Sequence, residues 1–107
     1  MPTNAEYLSR VPLFAGLAPD RLDALASACQ RRALAKGEVL FLEGDPGGAL
    51  FVIVSGNLRV ERIGANGGVQ VLGIRRAGEV IGEMSLVDQS PRSAQVVGQS
   101  AAKLLVV

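Results

Sequence analysis

The sequence predicts a mainly β domain with flanking helices, built as an antiparallel sandwich or jelly roll. Three observations carry this. From about Ala33 onward, short runs rich in Val, Ile, Leu and Phe follow one another, single or paired glycines from Gly37 to Gly82 separate them, and a helical periodicity lies ahead of them. Evenly spaced apolar runs bounded by turn residues suit an antiparallel sandwich or roll. With 107 residues, the chain has the length of one domain. Residues 1–32 are expected to form an N-terminal helical segment, and residues 33–107 the β-roll.

The first element to justify is the helix. Pro19 suits a first helical position, where its missing N–H would have had no partner in any case. Leu22, Leu25, Ala26 and Cys29 then recur at i, i+3, i+4 and i+7, which makes one apolar stripe. Arg31 and Arg32 are expected near the helix end, where positive charge opposes the negative pole of the helix dipole. Cys29, on the stripe, is expected as a small buried apolar group.

Strands are expected at Glu38–Phe41, Ala49–Ser55, Leu58–Ile63, Val69–Arg75, Ala94–Gly98 and Lys103–Val107. Two of them alternate. Leu58, Val60 and Ile63 oppose Arg59, Glu61 and Arg62, while Val69, Val71 and Gly73 oppose Gln70, Leu72 and Ile74. Asn66-Gly67 between these two runs is a hairpin signal. Arg75 and Arg76 read as a solvated face. No repeat, low-complexity stretch or linker interrupts the chain.

Composition narrows the chemistry. Hydrophobic residues make up 49% and charged residues 20%, an ordinary globular balance. The net charge of +1 gives no electrostatic case for nucleic acid or an acidic membrane as partner. No apolar run approaches the ~20 residues that cross a bilayer, and the polar start, Thr3 to Glu6, is unlike a signal peptide. These features point to the cytoplasm. There is no histidine and only one cysteine, which excludes a disulfide within the chain, His-ligated zinc or haem, and any Ser-His or Cys-His nucleophile. Neither a metal nor an enzymatic activity is expected.

The most informative stretch is 82–94. Gly82 allows close backbone approach, and the residues after it can open a short helix whose N–H groups attract an anion. Arg92 supplies a permanent charge on a planar fork suited to phosphate oxygens. Glu83 only accepts hydrogen bonds, so it suits a sugar hydroxyl. An anion site beside a hydroxyl reader implies a phosphorylated sugar, most economically a nucleotide.

Gly82-Glu83-Met84-Ser85-Leu86 with Pro91-Arg92-Ser93-Ala94 resembles the phosphate-binding cassette of cyclic-nucleotide-binding domains. That family includes bacterial catabolite activators, regulatory subunits of cAMP-dependent kinase and cyclic-nucleotide-gated channels. Leu13-Phe14-Ala15-Gly16-Leu17, Lys36 to Phe41 with Glu43-Gly44-Asp45, and Phe51 to Gly56 with Leu58-Arg59-Val60 resemble other family segments in the right order. The resemblance implies a cyclic-nucleotide-binding jelly roll, a double-stranded β-helix, that binds cAMP or cGMP as an allosteric ligand. It implies that Arg92 meets a phosphate oxygen, with backbone N–H groups around Met84-Ser85 and Ser93-Ala94 on other oxygens. Glu83 would accept from the ribose 2′-OH and Gly82 would leave room for the ribose. Ser93 would be a second polar reader, and Val71, Leu72, Ile74 and Met84 would wall the base. Serine at 93, followed by alanine, leans toward cAMP.

The resemblance also implies a role as the sensor part of a bacterial transcription regulator of the catabolite-activator type. In the family a long helix follows the final strand, closes over the base and often forms a dimer seam, and bacterial regulators then carry a helix-turn-helix domain. Homodimerisation through such a helix and DNA contact through such a domain are therefore expected outside this sequence, which is either a fragment or a stand-alone sensor. The alternative is a degenerate relative that keeps the roll as an interaction or dimerisation module without nucleotide.

Overall fold

The structure, a computed structural model, describes residues 3–82 and 91–107. Helix α1 covers Asn4–Ser9 and α2 covers Pro19–Ala28, with a 3-10 turn at Pro12–Phe14 between them. Eight strands follow: β1 (Gln30–Leu34), β2 (Val39–Phe41), β3 (Phe51–Ser55), β4 (Asn57–Ile63), β5 (Val69–Arg76), β6 (Val80–Ile81), β7 (Gln95–Gly98) and β8 (Ala102–Val106). They form two four-stranded sheets, ordered β1-β8-β3-β6 and β2-β7-β4-β5. Every pairing is antiparallel. This is the expected mainly β roll with helices at its N-terminal side.

The central strands of the first sheet, β8 and β3, are largely buried on both faces, and side-chain alternation shows why. On β3, Phe51 and Ile53 face the second sheet, as do Leu34 of β1 and Leu104 of β8, and they meet Leu40, Leu58 and Val96 from that sheet. The opposite face carries Val52, and Leu105 of β8, against Leu8, Val11 and Phe14 of the N-terminal segment. That segment is the sheet's second cover, so β3 and β8 read as nearly continuous apolar runs. Thr3 caps α1, its hydroxyl accepting from the Glu6 N–H at 3.2 Å. Helix α2 lays Leu22, Leu25 and Ala26 on the same cluster, half-buried, and Cys29 joins them from just past the helix end.

One sequence expectation is corrected here. Arg31 and Arg32 do not end a helix. The chain is already extended at Cys29, and Gln30–Leu34 pairs with β8 from Gln30 opposite Val106 to Leu34 opposite Ala102. Five residues of sheet pairing outweigh the weak charge–dipole preference. The two arginines instead reach outward, Arg31 to the Asn4 side-chain oxygen at 2.7 and 3.1 Å and Arg32 to Glu38 at 3.8 Å. Short strand β6 was likewise not expected. The β4–β5 hairpin does turn at Asn66-Gly67, with the Gly64 N–H donating to the Gly68 carbonyl at 2.7 Å and Gly67 at φ +82°. Among the described residues no helix is long and apolar enough to cross a membrane.

The outer face of the second sheet holds a polar chain. Glu61 is buried, accepts from Arg59 and from the Gln95 amide at 2.8 Å, and Arg59 continues to Gln99. The Arg59 hydrogen bond, outweighing the opposing effect of burial, holds the Glu61 carboxyl below its ordinary value, with Gln95 adding to the effect. A lowered folded-state pKa contributes stability above the unfolded value of 4.5 that is lost as pH falls through the folded value. Glu61→Gln is therefore expected to be less stable than the parent at neutral pH and to converge with it in acid, as read from urea midpoints across pH. In the apolar layer, Leu105 is 0% exposed, so Leu105→Ala should lower unfolding free energy by about 2–5 kcal/mol in the same assay.

Candidate functional site

A cavity of about 300 Å³ opens where the two sheets part. Its wall takes residues from β2, β4, β5, β6 and β7, together with Gly82 and the segment Arg92–Ala94. That volume is at the small end of the ~300–1,000 Å³ typical of small-molecule sites.

Arg92 dominates the wall. Its backbone is clamped to the 44–45 turn, donating to the Asp45 carbonyl at 2.9 Å and accepting from the Gly44 N–H at 2.8 Å. The turn is itself held by the Asp45 carboxylate, which accepts from the Leu42 N–H at 2.8 Å. Arg92 is only 5% exposed. Its guanidinium lies over two rings, 4.4 Å from the centre of Phe41 and 5.7 Å from that of Phe51, and Nη2 donates to the Ala49 carbonyl at 2.9 Å. Among the described residues Nε and Nη1 have no partner. Burial pulls the guanidinium's pKa down, against the opposing charge of Asp45.

The balance of these effects points to an anion. A buried cation loses several kcal/mol of hydration. Two aromatic faces return about 0.5–2 kcal/mol each, and one hydrogen bond to a neutral carbonyl adds about 1.5–3 kcal/mol. Two N–H groups are still unspent. Chemically, such a guanidinium can take hydrogen-bond acceptors presented from the cavity.

Gly82 belongs to the same construction. It sits at φ +89°, and a Cβ there would lie 2.5 Å from Arg92 Nη1 and 2.8 Å from the Ala49 carbonyl oxygen. The missing side chain makes room for the guanidinium directly. Ala94 is buried in the cavity wall, while Ser93 is exposed and its carbonyl accepts from Arg62 at 3.2 Å. Glu83, Met84 and Ser85 lie outside the described residues.

Val71 and Leu72 are not brought to the cavity; they are 52% and 45% exposed. A bulge explains this. Val60 pairs with Gly73 but Glu61 pairs with Val71, so Leu72 is an extra residue on β5. The extra residue reverses the strand's phase, putting Val71 opposite outward-facing Glu61 and Gly73 opposite inward-facing Val60. The simple alternation read from the sequence does not survive it. Ile74 is also absent from the wall, and Arg75, read as solvated, is part of it. Its partner Leu58 is fully buried, which fixes the inward side. Phe41 and Phe51 gave no sequence signal beyond ordinary core residues. Among the described residues, no group of three or more His, Cys, Asp or Glu side chains gathers to hold a metal ion.

Residues 31–107 match the family described as "Cyclic nucleotide-binding domain". Over 96 residues the chain is 41% identical to the cyclic AMP receptor protein of Thermus thermophilus, a match that covers 90% of this chain and 44% of that protein. It is 32% identical to a cAMP-dependent protein kinase regulatory subunit of Hypocrea atroviridis, covering 92% of this chain and 20% of the relative. The chain thus spans less than half the length of either. Among solved structures, the N-terminal domain of a transcriptional regulator from Streptomyces coelicolor superposes with a TM-score of 0.87 at 37% identity, over 94% of this chain and 72% of that one.

Because Gly82 faces a backbone carbonyl and a buried guanidinium, Gly82→Ala should destabilise the chain by more than about 1 kcal/mol. A chemical denaturation series tests this; an unchanged midpoint would mean that the 82–92 contact is not close.

Proposed function

The chain belongs to the cyclic nucleotide-binding domain family, and from that premise we propose that its cavity takes cAMP and that the chain serves as the sensor part of a bacterial transcription regulator. The observation that supports the ligand most strongly is Arg92, buried beside the cavity with two N–H groups without a partner among the described residues. A cyclic phosphate is a compact monoanion, so it supplies charge and acceptors to that guanidinium at once. The backbone N–H groups of Ser93 and Ala94 adjoin it and can take further phosphate oxygens. Glu83, next in the chain to Gly82, is the proposed acceptor for the ribose 2′-OH. A carboxylate beside a phosphate is tolerable because Arg92 neutralises the phosphate while the carboxylate faces the sugar.

Support for cAMP as the nucleotide comes from the names of the relatives and from Ser93. Support for a regulator comes from the similarity to the Thermus receptor and the Streptomyces regulator domain. DNA contact and pairing of two copies would then belong to parts of such a protein beyond the sensor. Nucleotide binding biases an attached output only through unequal affinity for two states of the sensor.

Millimolar cAMP should raise the melting midpoint of the chain by mass action. Arg92→Ala should weaken binding by about 2–5 kcal/mol in calorimetric titration. Arg92→Met removes a buried charge while keeping contact with Phe41 and Phe51, so without nucleotide it should melt no lower than the parent. Equal cAMP affinity in parent and Arg92 variants would refute the assignment, and no response to cAMP or cGMP in the parent would favour an interaction module.

A further inference from the structure

Resting on that reading, we infer that Arg62 is a positioning residue for the phosphate: by holding the Ser93 carbonyl it aims the Ala94 N–H at a phosphate oxygen. The sheet itself stops short of the site. Strand β7 lies between β2 and β4, and its ladder with β4 ends with Glu61 opposite Gln95. The three residues ahead of Gln95, Arg92–Ala94, line the cavity outside any strand. They are tied from two sides. Beyond β2, the 44–45 turn holds the Arg92 backbone by hydrogen bonds of 2.8 and 2.9 Å. From β4, Arg62 reaches past the end of the ladder, and its Nη2 donates to the Ser93 carbonyl at 3.2 Å.

The second tie fixes more than a carbonyl. The described peptide bonds are all trans, and across a trans peptide the C=O and the following N–H point in opposite directions. With the Ser93 carbonyl turned to Arg62, the Ala94 N–H is turned away from it. Ala94 is buried in the cavity wall, and among the described residues its N–H makes no hydrogen bond. An N–H of fixed direction, two residues from a buried guanidinium with spare donors of its own, is a second donor for the same anion. Arg62 is exposed, takes no part in the cavity wall and enters no ion pair among the described residues. Solvent and salt screen its charge, so its effect on the ligand runs through the peptide it holds.

The experiment compares the chain with Arg62→Met by calorimetric titration with cAMP at low and high salt, and by amide NMR of the labelled proteins at saturating cAMP. Arg62→Met should bind cAMP about tenfold more weakly, the scale of one hydrogen bond to a charged group, and the ratio should persist at high salt. Saturating cAMP should move the Ala94 amide proton downfield in the parent and clearly less in the variant. A melt without nucleotide should give both the same midpoint, since the site is exposed; if Arg62→Met melts lower, Arg62→Gln takes its place in the comparison. A loss that vanishes at high salt means that Arg62 acts by charge alone and overturns the inference. So does an Ala94 amide that moves equally in parent and variant. Equal cAMP affinity in the two leaves the cyclic-nucleotide reading standing and removes only the role of Arg62. If the parent binds no cAMP, that reading itself fails and takes this inference with it.

Discussion

A guanidinium buried over two aromatic rings organises the rest of this molecule's site. Phe41 comes from one sheet and Phe51 from the other, their centres 6.0 Å apart. Arg92 covers both, so its position reports how the sheets are spaced. The Ala49 carbonyl and the missing side chain of Gly82 complete the socket. Each partner fixes where the cation sits, and none neutralises it. Buried charge of this kind is uncommon, and the proposed function assigns it an anionic ligand.

The roll supplies the stiffness that such a socket needs. The centre of the first sheet is packed on both faces, by the second sheet and by the N-terminal segment, and β3 and β8 cannot shift without opening two apolar layers. On the far side of the second sheet, the Gln95–Glu61–Arg59–Gln99 chain ties β7 to β4. Strand β7 begins one residue after Ala94, so the same polar chain anchors the strand that delivers the Arg92 segment. Stability and site placement are in this sense one problem, solved by the same strands.

Fold class, most strand positions, the Asn66-Gly67 hairpin and the place of Gly82 and Arg92 in one motif were legible along the chain. These are local: apolar runs, turn glycines and residue spacing are written along the chain, and each reflects short-range sterics or periodicity. Tertiary structure alone decided the rest. Gln30–Leu34 became a strand because β8 lay ready to pair with it. The bulge at Leu72 turned Val71 outward and left Arg75 facing in, because two strands of unequal length had to match. That Gly82 makes room for Arg92, and that Phe41 and Phe51 meet beneath it, follows from elements distant in the chain coming together, which no pattern within a single run encodes.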